Sequence, residues 1–388
     1  MSIPERVRTR LVLSQGRADA AGVATALRDE GIVLGDGAIL ALVAQLQRDT
    51  AGIGILEPLL HQPGITDILV NGPDDVWIDR GLGLERVPLS FASTAEVQAL
   101  AQRLASSTGR PLDEAHPSVD ARLGNGVRLH ATVPPIAVDG PVISLRIPRS
   151  QPFTLDQLVE AGAVDADGAV WLQRIMAARL SFLISGGTGT GKTTVLAALL
   201  GLVPRDHRIV IVEDSTELAP DHPHAVRLQA RMANLEGAGA ITMRELVRQT
   251  LRMRPDRIVV GEVRGAEVAE LLTALNTGHE GGCGTVHANS AGDVPARIEA
   301  LSLLAGLDRA AAHALLAAGL DAVIHLERDQ HGRRVIQGVH LLAVDGHQRV
   351  RVTPALVRSA ARLVPAAALP ALEAMVTARV PSAAPATS

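Results

Sequence analysis

GGTGTGKT, at residues 186–193, is the most informative stretch of this 388-residue sequence. It matches the phosphate-binding pattern G-x-x-x-x-G-K-[ST]. An apolar run that favours a buried strand precedes it at residues 181–185, and a run of mostly Ala and Leu that favours a helix follows at residues 195–202. Between a strand and a helix, such a loop can wrap its backbone N–H groups around a phosphate while the helix N-terminus adds its positive dipole. This context predicts a nucleotide-binding loop rather than a flexible glycine turn.

Lys192 is the only lysine among the 37 Lys and Arg residues of the chain. Its compact ammonium suits a position between the β- and γ-phosphates, where a bulkier, planar guanidinium would not replace it. Thr193 offers a hydroxyl for Mg²⁺. We therefore predict ATP and Mg²⁺ as cofactors. The nucleotide contacts predicted from the loop are Gly186, Gly187, Thr188, Gly189, Thr190, Gly191, Lys192, Thr193 and Thr194.

Acidic side chains follow two further apolar runs. Residues 209–212 lead into Glu213, and residues 258–260 lead through a glycine into Glu262. The carboxyl ends of parallel strands meet at one edge of a sheet, so we expect both carboxylates in one crevice. Glu262 is the candidate for polarising the attacking water, although the residues alone do not divide the work between the two glutamates. The predicted metal ligands are Thr193, Glu213 and Glu262.

Other polar residues lie in the same half of the chain. His287 ends a predicted strand, and from its chemistry alone a role at the γ-phosphate and a structural role are equally open. Asp256 lies at the entry end of its strand, where we expect it to be structural. Most arginines here are expected to be solvated or paired with Glu245, Asp256 and Glu267. The candidate arginine fingers toward a neighbouring subunit are Arg227 and Arg231.

The patterning divides the chain into two halves. Short strands with an Asn71-Gly72 hairpin turn and a helix near residues 94–107 predict an α+β first half. From residue 158, helices alternate with buried strands, which predicts a parallel sheet covered on both faces, followed by a small meander at residues 322–352. We predict an α/β fold. Its predicted divisions are a helical segment at 1–50, an α+β domain at 51–148, a linker at 149–156, a P-loop ATPase domain at 157–358, and a C-terminal helix with a disordered Ala/Pro tail at 359–388.

Composition narrows the function classes. The net charge of −4 disfavours a protein that grips nucleic acid by its backbone, so no direct nucleic-acid contact is expected. The single cysteine, Cys283, excludes an intrachain disulfide and fits a reducing compartment. No uncharged apolar stretch approaches the roughly 18 residues of a membrane span. We expect a cytoplasmic protein that meets a membrane only through partners.

The motifs after the loop resemble those of the type II/type IV secretion ATPase superfamily. LRMRPDRIVVGEVR at residues 251–264 is similar to the family signature with its Gly-Glu Walker B, EDSTEL at 213–218 to its Asp box, and residues 277–289 to its His box. The resemblance covers roughly residues 50–355. It implies a RecA-like ATPase domain in a homohexameric ring and assigns His287 to the site. The predicted catalytic residues are then Lys192, Glu262, Glu213 and His287.

The resemblance extends to the first half and to a branch of the family. It implies that Arg128 and Arg146 touch the nucleotide across a domain cleft. Gly265 stands where type II members usually carry Asp, and a four-cysteine module is missing, so the chain is more similar to the tight-adherence pilus and conjugal-transfer members. These imply Mg-dependent ATP hydrolysis that powers pilus assembly, secretion or conjugal transfer beside inner-membrane platform proteins.

Two rival hypotheses remain open at this stage. A RecA-like nucleic-acid motor shares the P-loop but predicts stimulation of hydrolysis by DNA or RNA. A regulatory subunit would bind ATP without hydrolysing it.

Overall fold

The computed structural model describes residues 52–81, 83–148, 152–231, 233 and 238–380, and before residue 50 only residues 3, 6, 7, 10, 20–32, 34, 35, 37–39 and 42. The chain divides into two compact units, Met1–Arg149 and Ser150–Ser388. Most of the predicted helical segment at 1–50, the start of the predicted linker at 149–151, and the predicted tail at 381–388 lie outside the described residues. The predicted domain divisions stay predictions.

The N-terminal unit is built on a six-stranded sheet in which every neighbouring pair of strands is antiparallel. Its elements in chain order are α1 (Ala20–Asp29), a 3-10 turn (Gly54–Leu56), α2 (Glu57–Leu60), β1 (Asp67–Gly72), β2 (Asp75–Asp79), β3 (Leu84–Arg86), α3 (Thr94–Ser107), β4 (Ser118–Arg122), β5 (Arg128–Thr132) and β6 (Val142–Arg146). The strand order across the sheet is β3-β2-β1-β6-β5-β4.

Helix α3 packs on β5 and β6 through an apolar face. The Ser93 side chain caps the helix by accepting from the backbone N–H of Glu96 at 3.3 Å, which satisfies one of the free donors of the first turn. The buried residues recur at helical spacing and are Val97, Leu100, Ala101, Leu104 and Ala105. The predicted helix near residues 94–107 is confirmed.

The predicted Asn71-Gly72 turn is wrong. Both residues belong to β1, and the turn falls on Pro73 and Asp74. Proline fixes φ near the value required at the second position of a common turn, so it outweighs the Asn-Gly signal that precedes it. Asn71 instead donates its side-chain N–H to Asp75 Oδ2 at 3.2 Å, across the turn.

The C-terminal unit contains a nine-stranded sheet with the order β15-β14-β13-β12-β7-β11-β10-β8-β9. Its elements in chain order are α4 (Leu155–Glu160), α5 (Ala166–Ala177), β7 (Phe182–Gly186), α6 (Lys192–Leu200), β8 (Ile209–Glu213), β9 (Ala225–Gln229), α7 (Met243–Thr250), β10 (Arg257–Val263), α8 (Glu267–Leu275), β11 (Cys283–His287), a 3-10 turn (Ala291–Asp293), α9 (Val294–Leu304), α10 (Arg309–Gly319), β12 (Ala322–Arg328), β13 (Arg334–Val344), β14 (Val350–Ser359), β15 (Arg362–Pro365) and α11 (Leu369–Arg379).

Helices cover both faces of this sheet, as predicted. Alternate residues of β7 enter different cores: Phe182 and Ile184 pack with helices α4, α5, α6 and α11, whereas Leu183 packs with α7 to α10. Successive side chains of a strand point to opposite faces, so a strand buried on both faces reads as a continuous apolar run. The α/β fold with a parallel sheet is confirmed over the six strands from β12 to β9.

The predicted meander at residues 322–352 is confirmed, because β12, β13 and β14 are antiparallel neighbours in chain order. Its first strand, β12, pairs in parallel with β7, and β13 to β15 extend the same sheet in antiparallel fashion. The sequence pattern reveals each strand but not its neighbour. No helix in the described part of the chain is long and apolar enough to cross a membrane.

His340 on β13 makes the stability of this unit dependent on pH. Burial lowers the pKa of His340 to about 4, with a smaller contribution from His325, so the folded state holds the imidazole neutral. Its stabilising contribution is therefore complete above the unfolded pKa of about 6.5 and is lost as the pH falls toward 4. We expect the free energy of unfolding to drop by about 3 kcal/mol over that range from this group alone.

Urea unfolding of wild type, His340→Gln and His347→Gln at several pH values tests this expectation. His347 is exposed and serves as the matched control. The difference in stability between wild type and His340→Gln should shrink as the pH falls, and parallel pH profiles for the two proteins would contradict it.

Candidate active site

The glycine-rich loop joins β7 to α6, where the sequence predicted it. Gly186, Gly189 and Gly191 have positive φ angles of 152°, 71° and 93°. A Cβ on Gly186 would stand 2.5 Å from the carbonyl oxygen of Leu326 and 2.8 Å from Thr190 Oγ1. Only glycine fits at this last position of β7, because the backbone of β12 lies too close to leave room for a side chain.

Lys192 lies at the start of α6 and is 8% exposed. Its Nζ donates to the carbonyl oxygens of Gly186 at 3.0 Å and Gly187 at 2.8 Å, and lies 3.3 Å from His287 Nδ1. His287 is the register partner of Gly186 on the neighbouring strand β11, which explains the contact. Burial lowers the pKa of Lys192, and the carboxylate of Glu262 works in the opposite direction.

His287 links the lysine to Glu262. Its Nε2 lies 2.9 Å from Glu262 Oε1. An ammonium can only donate, so Nδ1 is the acceptor for Lys192. The contact of Nε2 with Glu262 is one of short distance, because Glu262 Oε1 is buried without a hydrogen-bond partner in the described part of the chain. Burial and the nearby Lys192 lower the pKa of His287, which fits a neutral ring. We call these three residues the Lys192–His287–Glu262 array.

Arg264 extends the array at its acidic end. Its Nη2 lies 2.6 Å from Glu262 Oε2. Burial works to raise the pKa of Glu262, but Arg264, His287 and Lys192 together hold that pKa below its ordinary value. Glu262 is therefore ionised at neutral pH. The sequence predicted no pairing of Arg264 with Glu262, since Arg264 directly follows the last residue of β10 and no strand periodicity reaches it.

The sequence predicted that Glu262 follows the end of a strand at residues 258–260. In the structure Glu262 lies within that strand, because β10 continues to Val263. The preceding residue, Gly261, has no room for a side chain. A Cβ on it would stand 2.5 Å from Glu213 Cγ. Glycine before Glu262 thus lets the acidic side chain of β8 lie against the backbone of β10.

Glu213 ends β8 and is 4% exposed. Its Oε1 accepts from the backbone N–H groups of Glu217 and Leu218, each at 2.9 Å. Its Oε2 is buried without a hydrogen-bond partner in the described part of the chain. Burial raises the pKa of Glu213, and the two backbone N–H groups oppose that shift. Glu213 therefore stands on the same sheet edge as Glu262 but outside the array.

The oxygen donors present suit a magnesium ion. Mg²⁺ is usually held by one or two protein oxygens together with substrate phosphates and water. The buried and unpaired Glu213 Oε2 is one such oxygen, and the hydroxyl of Thr193, in the first turn of α6, is another. When bound, the ion would neutralise charge on the phosphates.

Other predicted residues lie away from the array. Arg227 is exposed on β9, the terminal strand of the sheet, and Arg231 donates its Nε to the carbonyl oxygen of Gly239 at 2.6 Å. His279, within the stretch similar to the His box, lies before the entry end of β11, opposite the edge that carries His287. The structure does not bring these three side chains to Lys192.

The two arginines predicted to contact the nucleotide from the first half of the chain lie on adjacent strands of the N-terminal unit. Arg128 on β5 and Arg146 on β6 are register partners, and Arg146 Nε also donates to Asp67 Oδ1 at 3.1 Å. The structure thus places both arginines at one end of the six-stranded sheet. Their predicted contact with a nucleotide across a cleft stays a prediction.

The two arginines of α7, Arg244 and Arg248, form ion pairs with an acidic residue that the sequence did not predict. Arg244 Nε lies 2.6 Å and Arg248 Nη2 lies 2.7 Å from Glu270 Oε1. The three predicted acidic partners instead accept hydrogen bonds from backbone N–H groups and are Glu245, Asp256 and Glu267. For Asp256, whose Oδ2 accepts from the N–H of Arg208 at 2.7 Å, this is the structural role expected at the strand entry.

A glycine-rich loop between a buried strand and a helix, with glutamates carried by parallel strands beside it, defines a P-loop protein with a RecA-like ATPase domain. The chain belongs to the family described as Type II/IV secretion system protein, which matches residues 49–362.

The curated relatives agree with that assignment. A Mycobacterium tuberculosis protein named for conjugal transfer is 56% identical over 316 residues, which are 80% of this chain and 90% of the relative. TrbB of Sinorhizobium fredii, also named for conjugal transfer, is 32% identical over 280 residues, 71% of this chain and 83% of the relative. The solved ATPase DotB of Yersinia pseudotuberculosis shares the fold with a TM-score of 0.53 at 16% identity, covering 80% of this chain and 78% of that chain.

Proposed function

We propose that this chain hydrolyses ATP with Mg²⁺ and that hydrolysis powers conjugal transfer, secretion or pilus assembly. The observation that carries the proposal is the Lys192–His287–Glu262 array, which begins on the phosphate loop itself and ends in an ionised carboxylate. A lysine and a carboxylate that each lie close to one neutral imidazole are suited to phosphoryl transfer.

In this proposal each group has one task. Lys192 stabilises charge on the β- and γ-phosphates, and Glu262 orients and polarises the attacking water as an acceptor. His287 fixes the direction of the Glu262 carboxylate and, beside Lys192, would hydrogen-bond the γ-phosphate of a bound nucleotide. Thr193 and Glu213 hold Mg²⁺. Catalysis then comes from positioning and charge stabilisation rather than from covalent steps.

The relatives support the cellular role. Two are named for conjugal transfer, and we extend that role to this chain, within a branch that also includes the tight-adherence pilus ATPases. We further propose a cytoplasmic homohexamer docked on inner-membrane platform proteins. In that ring Arg227 or Arg231 would act toward a neighbouring subunit, and Arg128 and Arg146 would reach the nucleotide from the N-terminal unit.

The first experiment measures the ATPase rate per subunit against protein concentration, with and without single-stranded and duplex DNA, alongside light scattering for mass. We expect the rate per subunit to rise as a hexamer forms and to be unaffected by DNA. Stimulation by DNA would favour the nucleic-acid motor, although the net charge of −4 opposes it. Absence of turnover in the wild type would favour a regulatory ATP-binding subunit.

A further inference from the structure

Strand β10 carries one residue more than its neighbour β11 at the point where Glu262 stands. Val260 pairs with Gly284, and Val263 pairs with Val286. Three steps along β10 therefore match two steps along β11, which is the geometry of a β-bulge. Gly261 and Glu262 oppose a single residue, Thr285. Bulges redirect side chains and leave backbone groups outside the ladder.

Thr285 satisfies one of those backbone groups. Its Oγ1 donates to the carbonyl oxygen of Gly261 at 2.6 Å, and the residue is 1% exposed. A buried carbonyl without a partner is costly, so this hydroxyl stabilises the bulged conformation. On its other side, Thr285 pairs through its backbone with Ile184 of β7, two residues before the phosphate loop. Thr285 is thus fixed in the ladder that carries the loop.

We propose that Thr285 is a positioning residue for Glu262, whose hydroxyl holds the bulge that directs the Glu262 carboxylate toward His287. The inference rests on the proposed ATPase function. Thr285 and His287 lie two residues apart on β11 and share a face of the strand. Strand β11 therefore carries both the hydroxyl that stabilises the bulge and the imidazole that lies beside the Glu262 carboxylate.

The glycine at position 261 explains why the bulge needs a stabilising hydrogen bond. Gly261 must lack a side chain because Glu213 lies against it. Glycine has the widest backbone freedom of any residue, so between the flanking pairs Val260–Gly284 and Val263–Val286 the Thr285 hydroxyl supplies a restraint that the glycine itself lacks. A displacement of about 1 Å in a reacting group can cost roughly 10²-fold in rate. We expect nucleotide binding to be independent of the bulge, because the loop and Lys192 belong to β7 and α6 rather than to β10.

The experiment compares Thr285→Val, Thr285→Ser and Thr250→Val in the full chain. Valine keeps the shape of threonine and removes the hydroxyl, whereas serine keeps the hydroxyl. Thr250 is the matched control because it is fully buried in the same unit and donates to the carbonyl oxygen of Val247 at 2.7 Å. We expect Thr285→Val to lose 10- to 100-fold in kcat with the ATP Kd unchanged, on the order of the cost of a misplaced group.

The two companion variants separate positioning from general stability. Thr285→Ser should restore most of the turnover, and Thr250→Val should lower Tm about as much as Thr285→Val while it retains wild-type kcat. Unchanged turnover in Thr285→Val, or an equal loss of turnover in Thr250→Val, overturns the proposal.

Crystal structures of the wild type and the variants provide a readout that does not need activity. The His287 Nε2 to Glu262 Oε1 distance, 2.9 Å in the wild type, should lengthen in Thr285→Val and stay the same in Thr250→Val. An unchanged distance in Thr285→Val contradicts the positioning role. If the wild type hydrolyses no ATP, the proposed function fails, and these distances still decide the role of Thr285.

Discussion

Replacement of Lys192 by alanine is expected to abolish ATP turnover, with a loss of roughly 10³-fold or more, and to weaken ATP binding. The side chain is the only lysine ammonium in the sequence, and its Nζ is held 2.8 Å from the carbonyl oxygen of Gly187, inside the phosphate loop. Turnover and nucleotide affinity are measured separately, by steady-state kinetics and by equilibrium binding.

Lys192→Arg is the control for charge. Arginine keeps a positive charge but is planar and longer, so it should restore little turnover. Thermal unfolding of both variants shows whether the fold survives. Normal hydrolysis by Lys192→Ala would disprove the assignment of this loop as the catalytic site.

Glu262→Gln is expected to lower kcat by roughly 10²- to 10³-fold while ATP binding is retained. The substitution keeps the size of the side chain and one acceptor oxygen but removes the charge that faces Arg264 and His287. A carboxamide also cannot act as a base toward water. Steady-state kinetics at saturating Mg²⁺ measures the loss.

Glu213→Gln is the matched comparison and settles the division of work that the sequence left open. Glutamine can keep the oxygen that accepts from the N–H groups of Glu217 and Leu218, so the fold should persist. We expect the Mg²⁺ concentration for half-maximal turnover to rise, because the buried Oε2 is the proposed metal ligand. If Glu262→Gln is fully active and Glu213→Gln is not at any Mg²⁺ concentration, the two assignments must be exchanged.

Local sequence signals predicted the elements that depend on neighbouring residues. The helix at residues 94–107 has its own cap and its own apolar periodicity, and the loop at 186–193 has a pattern that requires a strand before it and a helix after it. Each signal lies within one short stretch. The turn at Asn71-Gly72 was mispredicted for the same kind of reason, since Pro73, one residue further on, imposes a stronger local restraint.

The order of the strands in the sheet could not be predicted from such local signals. The sequence predicts the meander at residues 322–352 but not its place in the parallel sheet, because the pattern of β12 resembles that of any buried strand. Only the tertiary structure shows that β12 lies beside β7, where its Leu326 carbonyl makes a side chain impossible at Gly186. Neighbours in a sheet are chosen among segments far apart in the sequence, so periodicity along one segment cannot identify them.

The sequence by itself determined the phosphate loop, its single lysine, and the two glutamates at the ends of apolar runs. It also determined the family, through motifs whose order and spacing are readable without coordinates. These features depend on residue type and on distances along the chain. They are therefore the part of the site that needs no knowledge of folding.

The tertiary structure decided which of these groups act together. The register of β11 against β7 sets His287 beside Gly186, and the bulge in β10 directs Glu262 toward that imidazole. Glu213, whose share of the work relative to Glu262 the sequence left open, is held by two backbone N–H groups outside the array. Register and bulges arise from hydrogen bonding between strands remote in sequence, and a shift of one residue would turn each side chain to the other face.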